Sequence, residues 1–330
     1  MSAQGGVTRR SFVGASATAL IALGAGTGAA RAWINKSGAG GLAPPSNGSF
    51  MFPIIKKLQL DKKYELDFDV HTYSSPSSLY SEFAAGNTGD IFGAVFNATN
   101  FYTRGMDVEL LFTVSTANHG FVTKNPAIKT PKDLAGKTIA ATTSSGFYGL
   151  ALLFLRQNNL NPHKNVNIIT AAPSSVQTQL LADRVDVGLL AEPALSNVVS
   201  KGFHIVGDMN AEIRKQLSMP ADAPIWYIAG YAHKSWVNED PKRAVATMKM
   251  WQDAASFHHE HPDEADKIVS AYTRIPVSSL KLSRRLGLAN FIVKPAVEEK
   301  AHIDTILKGF KEVGFLKKLP DDGIYWKPQT

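Results

Sequence analysis

Apolar and polar positions change period several times along the chain, and the changes mark its elements. Phe50, Ile54 and Leu58 recur at helical spacing, whereas Leu66, Phe68 and Val70 alternate at period two, as in a strand with one buried face. Pro76 then opens a helical run through Phe83 that stops at Gly86. Short apolar runs at 89–96 and 108–115 read as two more strands. The stretch 133–154 reads as a turn (DLAGK), a small and β-branched strand (TIAATT), a small-residue loop (SSG) and an apolar helix.

From there the alternation repeats. A helix over 147–158 is followed by a strand at 165–171, a helix at 175–182, a strand at 185–191, a helix from Pro193 and a strand at 203–209. Strands alternating with helices of about ten residues imply mainly parallel sheets wound on both faces. The alternation occurs once before Asn118 and again after Phe121, which predicts two similar α/β lobes and not one long sheet. Beyond Asp240 the pattern is helical, with Asp240 as N-cap and Pro241 in the first turn. Val245, Met248, Trp251 and Ala255 share a face there, and Gly314 closes the last helix.

The first 32 residues do not fit this scheme. Arg9-Arg10-Ser11-Phe12 precedes a weakly apolar Gly/Ala-rich run and an Ala30-Arg31-Ala32 cleavage pattern, which resembles a twin-arginine export signal. The alternative, a membrane anchor, is disfavoured because the run has few large apolar residues. Mature chain is expected to begin near Trp33, and export of this kind implies a periplasmic location.

The net charge of +7 in 330 residues includes three arginines from this segment, and the remaining basic residues are scattered, so nucleic acid is not an expected partner. The chain has no cysteine, which removes disulfides, thiolate metal sites and a cysteine nucleophile. A core of this size does not need disulfide staples.

Residues that could carry chemistry are few. Ser144, Ser145 and Gly146 sit where a strand gives way to a helix N-terminus. They could form an ordinary cap or cradle the oxygens of a sulfonate, carboxylate or nitrate. Phe147 could stack on a flat ligand or belong to the core. Glu192, before Pro193, could hold a ligand ammonium or hydroxyl, or cap the following helix. Trp226 and Tyr227 are adjacent in an extended segment, so one should face a cleft and the other the interior; Trp226 is the expected cleft residue. His119 could pair with an anion or serve as a hydrogen-bonded structural histidine. The run His258, His259, Glu260, His261 splays around a helix end and is expected to be solvated, with no metal site. No fingerprint of a hydrolase, zinc protease, nucleotide-binding loop or dinucleotide fold is present, and no cofactor is expected.

Six segments occur in a fixed order: LYSEFAAGNTGDI, NPAIKTPKDLAGKTIAA, SSGFYGLALLFLRQNNLNP, QTQLLADRVDVGLLAEPAL, HKSWVNEDPKRAV and LKGFKEVGFLKK. Together, over roughly residues 42–320, they resemble a periplasmic substrate-binding protein of an ABC importer, of the nitrate, sulfonate, taurine and thiamine-precursor type. The resemblance implies a type II two-lobed periplasmic-binding-protein fold. Each lobe would be a mainly parallel sheet flanked by helices, and two crossing segments would join the lobes. Lobe one maps to residues 33–117 and 224–330, and lobe two to 118–223. Ser144–Phe147 and Ala191–Pro193 would face the cleft from lobe two; Ser46, Asn47, Phe96 and Asn97 would face it from lobe one.

The implied function is non-enzymatic. The protein would capture a small organic anion, a sulfonate or carboxylate, and deliver it to an inner-membrane ABC permease, with a monomer as the family expectation. The rival is an enzyme or sensor on the same frame, acting on or sensing a pyrimidine or aromatic acid. The chain departs from the family in its first strand, where WINKSGAGGLAPP is poor in apolar residues, and in lacking the cysteine-rich motif of the thiamine-precursor branch.

Overall fold

The computed structural model describes residues 39–42, 44, 46 and 48–328. The expected export segment and Asn47 lie outside the described residues. Strand β1 (Ala39–Leu42) leads through a short loop into helix α1 (Gly48–Lys57) and one further turn, α2 (Leu60–Lys63). Then come β2 (His71–Tyr73), α3 (Pro76–Ala84), β3 (Asp90–Ala94), α4 (Val95–Thr103) and β4 (Val108–Thr116). The chain continues through β5 (His119–Thr123), β6 (Thr138–Ala141), α5 (Gly146–Gln157), β7 (Asn167–Thr170) and α6 (Pro173–Leu181). Next are β8 (Val187–Ala191), α7 (Ala194–Val199), β9 (His204–Ile205), α8 (Met209–Gln216) and β10 (Trp226–His233). Five helices close the chain: α9 (Lys234–Glu239), α10 (Pro241–Glu260), α11 (Pro262–Thr273), α12 (Val277–Arg285) and α13 (Lys300–Glu312).

The strands form two five-stranded sheets, in the orders β2-β1-β3-β10-β4 and β7-β6-β8-β5-β9. In each sheet three neighbouring strands run parallel, and a fourth lies antiparallel between them and the edge: β10 pairs with β3 and β4, and β5 pairs with β8 and β9. The chain leaves the first sheet between β4 and β5 and returns before β10. At these two passages the Ala117 N–H donates to the Ile225 carbonyl at 2.7 Å, so the crossings are bonded to one another.

Local signals set most boundaries. Ser75 caps α3 by accepting from the Ser78 N–H, with Pro76 in the first turn. Asp240 caps α10 by accepting from the N–H groups of Lys242 and Arg243. Gly86 and Gly314 end their helices at φ +76° and +74°, a region that a side chain disfavours. Behind the first sheet the core is aromatic: Phe92 stacks on Trp251 with centroids 4.9 Å apart, and Phe52 meets both edge-on. A second apolar cluster is continuous from Ile91 and Tyr231 of the first sheet to Phe147, Leu150 and Phe154 of α5, and joins the two halves.

Several elements differ from the pattern reading. Leu66, Phe68 and Val70 alternate but lie outside any strand, and only His71–Tyr73 pairs with β1. Phe68 is nonetheless buried against Phe52, so its side chain obeys the burial signal without the ladder. The run after Gly93 turns at Ala94 into α4, which puts Phe96 and Asn97 in a helix and not at a strand exit. The segment at 119–123 is a full strand, and α8 follows β9 where no helix was expected.

Candidate functional site

A pocket with about 710 Å³ of atom-free space, part of it at an open mouth, lies between the two sheets. Ser46, Phe92 and Gly93 contribute from the first sheet and its loops, and Leu189, Glu192 and Phe147 from the second sheet and α5. Tyr80 of α3 and Tyr227 of β10 complete the polar part of its wall. Three aromatic rings meet on one side: His119 lies 5.5 Å from Phe147 and 5.3 Å from Tyr227, centroid to centroid.

The polar groups are deeply placed. Glu192 is 1% exposed, at the end of β8, and its N–H donates to the Asn118 carbonyl at 2.9 Å. Its Oε2 accepts from Ser196 Oγ, one turn into α7, at 2.8 Å. Oε1 meets no donor at hydrogen-bond distance. Burial outweighs the Ser196 hydrogen bonds and the nearby Ser283 hydroxyl and pushes the Glu192 carboxyl up to about 7. The peptide to Pro193 is cis.

His119 is buried with both ring nitrogens unpartnered, and burial pushes it down to about 3, so it is neutral at pH 7. Burial likewise raises the Tyr80 phenol to about 12 and holds the Tyr227 phenol well above its ordinary value. Ala94 N–H donates to Tyr80 Oη at 3.3 Å, and the Tyr227 hydroxyl lies beside the Phe147 N–H.

The structure separates the sequence-derived residues into groups. Ser46, Phe147 and Glu192 line the pocket, and His119 packs on two of its rings. Gly146 lies where the two halves come close together, and an added Cβ there would meet Ala94 Cβ at 2.9 Å. Ser144 is exposed, and the buried Ser145 donates its hydroxyl to the Thr142 carbonyl at 2.7 Å without capping α5. The tight turn therefore uses the Ser145 hydroxyl, Ser144 faces solvent, and neither lines the pocket.

Phe96 stacks on Phe315 at 4.2 Å and lines a smaller apolar cavity. Asn97, one residue on, keeps a buried Oδ1 without a partner but is absent from the pocket wall. Asn47 cannot be placed with the rest, since it falls outside the described residues.

Trp226 and Tyr227 are exchanged relative to expectation. Strand alternation does send them to opposite sides, but Tyr227 enters the pocket and Trp226 turns to the crossings. There its Nε1 donates to Glu299 Oε2 at 2.9 Å, and the carboxylate is also met by Lys294 at 3.1 Å and His302 at 3.0 Å. An indole N–H beside a buried carboxylate has a stronger reason to face it than to face an apolar cleft. Tyr80 was missed altogether, since a tyrosine in an amphipathic helix carries no signal that distinguishes a pocket from a core. At the end of α10, His259 and His261 are exposed as expected, whereas His258 is buried edge-on between Phe50 and Phe291.

Two sheets of mixed pairing, each with one antiparallel strand next to its parallel set, crossed twice by the chain and enclosing a pocket, define the periplasmic-binding-protein fold. Solved structures agree. The aliphatic sulphonate binding protein SsuA from Escherichia coli superposes with a TM-score of 0.71 at 16% identity, over 89% of this chain and 93% of that one. SsuA from Xanthomonas axonopodis pv. citri, bound to MOPS, gives 0.70 at 14% identity over 86% and 95%. A Candida albicans gene product with the generic periplasmic binding protein fold gives 0.64 at 12% identity over 88% and 93%. The chain belongs to the NMT1/THI5-like family, whose model matches residues 65–265. No curated protein matches the sequence significantly.

Proposed function

We propose that this protein is an exported solute-binding component of an ABC importer, which captures a small organic molecule between its two halves and presents the closed form to a permease. The observation that carries the reading is the pocket itself, whose wall is drawn from both sheets and from β10, so a bound molecule would bridge the halves. Lobe one would comprise residues 33–117 and 224–330 and lobe two 118–223, hinged at the paired crossings near Ala117 and Ile225. The sulphonate-binding proteins of the same fold support solute capture as the use of this frame. Residues 1–32 would direct export by the twin-arginine route to the periplasm, and the mature protein would act as a monomer.

A thermal-shift screen of small sulfonates, carboxylates, amines, amides and heterocycles tests the central claim, because a ligand bound only by the folded state stabilises it by RT ln(1 + [L]/Kd). A hit should raise the melting temperature and reduce the radius of gyration in solution scattering. A hit recovered as a different compound by mass spectrometry would instead make the protein an enzyme on this frame. Arg9→Lys together with Arg10→Lys should leave the precursor unexported.

A further inference from the structure

The pocket bears on what kind of molecule it takes, and this step rests on the solute-binding reading above. An organic anion brought out of water needs cations or free backbone donors to replace its hydration. Among the described residues, no lysine or arginine lines this pocket. His119, the basic side chain packed on its rings, has lost its charge to burial. Five helices begin at or beside the cleft: α4 after Ala94 and α5 after Ser145, and α1, α6 and α7, whose first residues Gly48, Pro173 and Ala194 line it. A helix start is where an anion would dock, but at the two beside the aromatic wall Tyr80 covers the Ala94 N–H and the Tyr227 hydroxyl lies beside the Phe147 N–H.

What the pocket does offer is an acceptor. Glu192 is 1% exposed, lines the cavity and has an Oε1 that meets no donor at hydrogen-bond distance, with the buried Ser283 hydroxyl nearby. A buried carboxyl oxygen in that state is costly unless a donor reaches it. The unpartnered neutral imidazole of His119 adds one acceptor nitrogen and one N–H donor behind Phe147 and Tyr227.

We infer that the cleft takes an apolar molecule that presents an N–H donor, an amine, amidine or amide, to Glu192, in preference to an organic anion. Tyr227 and Glu192 are then the specificity-determining residues: one occupies the place of an anionic head, and the other demands a donor.

The test uses one carbon skeleton with different heads: benzylamine, benzamidine and benzamide against benzenesulfonate and benzoate, by thermal shift and calorimetry on the purified chain. At least one N–H donor should bind at least tenfold more tightly than either anion. Glu192→Gln should weaken benzylamine and benzamidine by tenfold or more while sparing benzamide, since the glutamine carbonyl still accepts. Tyr227→Phe, which removes the hydroxyl beside the Phe147 N–H, should bring benzenesulfonate binding up at least threefold, and circular dichroism checks that both variants fold.

Tighter binding of the anions by the unaltered protein overturns the selectivity and leaves solute capture intact. So does an anionic hit from the wider screen that outbinds its amine analogue. No stabilisation by any member of either panel overturns solute capture itself.

Discussion

Gly146 and Ala94 meet so closely that a Cβ added to Gly146 would lie 2.9 Å from the Ala94 Cβ and 3.3 Å from Tyr227 Cε2. Gly146 opens α5, on the second sheet, and Ala94 ends β3, in the first. The halves of the molecule therefore touch at a point where only a hydrogen fits, directly beside the pocket.

Gly146→Ala should strain this contact. Overpacking of a tight site costs about 1–3 kcal/mol, and the melting temperature should fall by several degrees relative to the unaltered chain. An unchanged melting temperature would show that the halves separate here without cost.

Glu192 sets a pH dependence. Its folded-state carboxyl is raised from 4.5 to about 7. The folded protein therefore holds the proton more tightly than the unfolded chain, and the associated stability is full below pH 4.5 and is lost as pH rises to about 7. Glu192→Gln lacks the proton, so its advantage in melting temperature should grow across that window and level off above it. The limit is on the order of 3 kcal/mol, at about 1.4 kcal/mol for each tenfold change in acid strength. A difference that stays constant from pH 4 to pH 8 would contradict the assignment.

Trp226→Phe removes the indole donor from Glu299. Burial raises that carboxyl, but hydrogen bonds from His302, Trp226 and Lys294 more than offset it and hold it below its ordinary value. A carboxylate depressed in this way contributes stability above its unfolded value and loses it as pH falls. The variant should be about 1.5–3 kcal/mol less stable at pH 7, the usual worth of a hydrogen bond to a charged group, with the gap narrowing by pH 3. Chemical denaturation at the two pH values measures it.

Gly89→Ala should be the most damaging of these changes. A Cβ there would lie 2.0 Å from Cδ1 of Trp236, which is fully buried, so neither partner has room to move. Loss of soluble protein or a large drop in melting temperature is expected.

Most of the two-sheet architecture was readable because period and punctuation agree along the chain. The Pro76 and Pro241 helix starts, the Gly86 and Gly314 stops and the alternation from 138 to 205 are local facts, and the structure places elements at each. The pattern misled at Leu66, Phe68 and Val70, where alternation reflects burial of Phe68 under Phe52 without a partner strand. It also misled after Gly93, where VFNATNFYT carries β-branched and aromatic residues yet forms α4. Tertiary packing of Phe96 on Phe315 overrides a weak local preference there.

The sequence by itself determined that the chain alternates strands and helices in two blocks, that Glu192 ends a strand, and that a glycine opens the helix after Ser145. Those follow from covalent order, periodicity and capping. Tertiary structure alone decided which side chains share the cleft. Trp226 and Tyr227 differ by one residue, and strand geometry guarantees only that they part. Which faces the pocket depends on Glu299, 73 residues further on, which claims the indole and leaves the phenol beside the Phe147 N–H. The charge state of Glu192 and His119 is likewise set by burial, and burial is a property of the packed molecule.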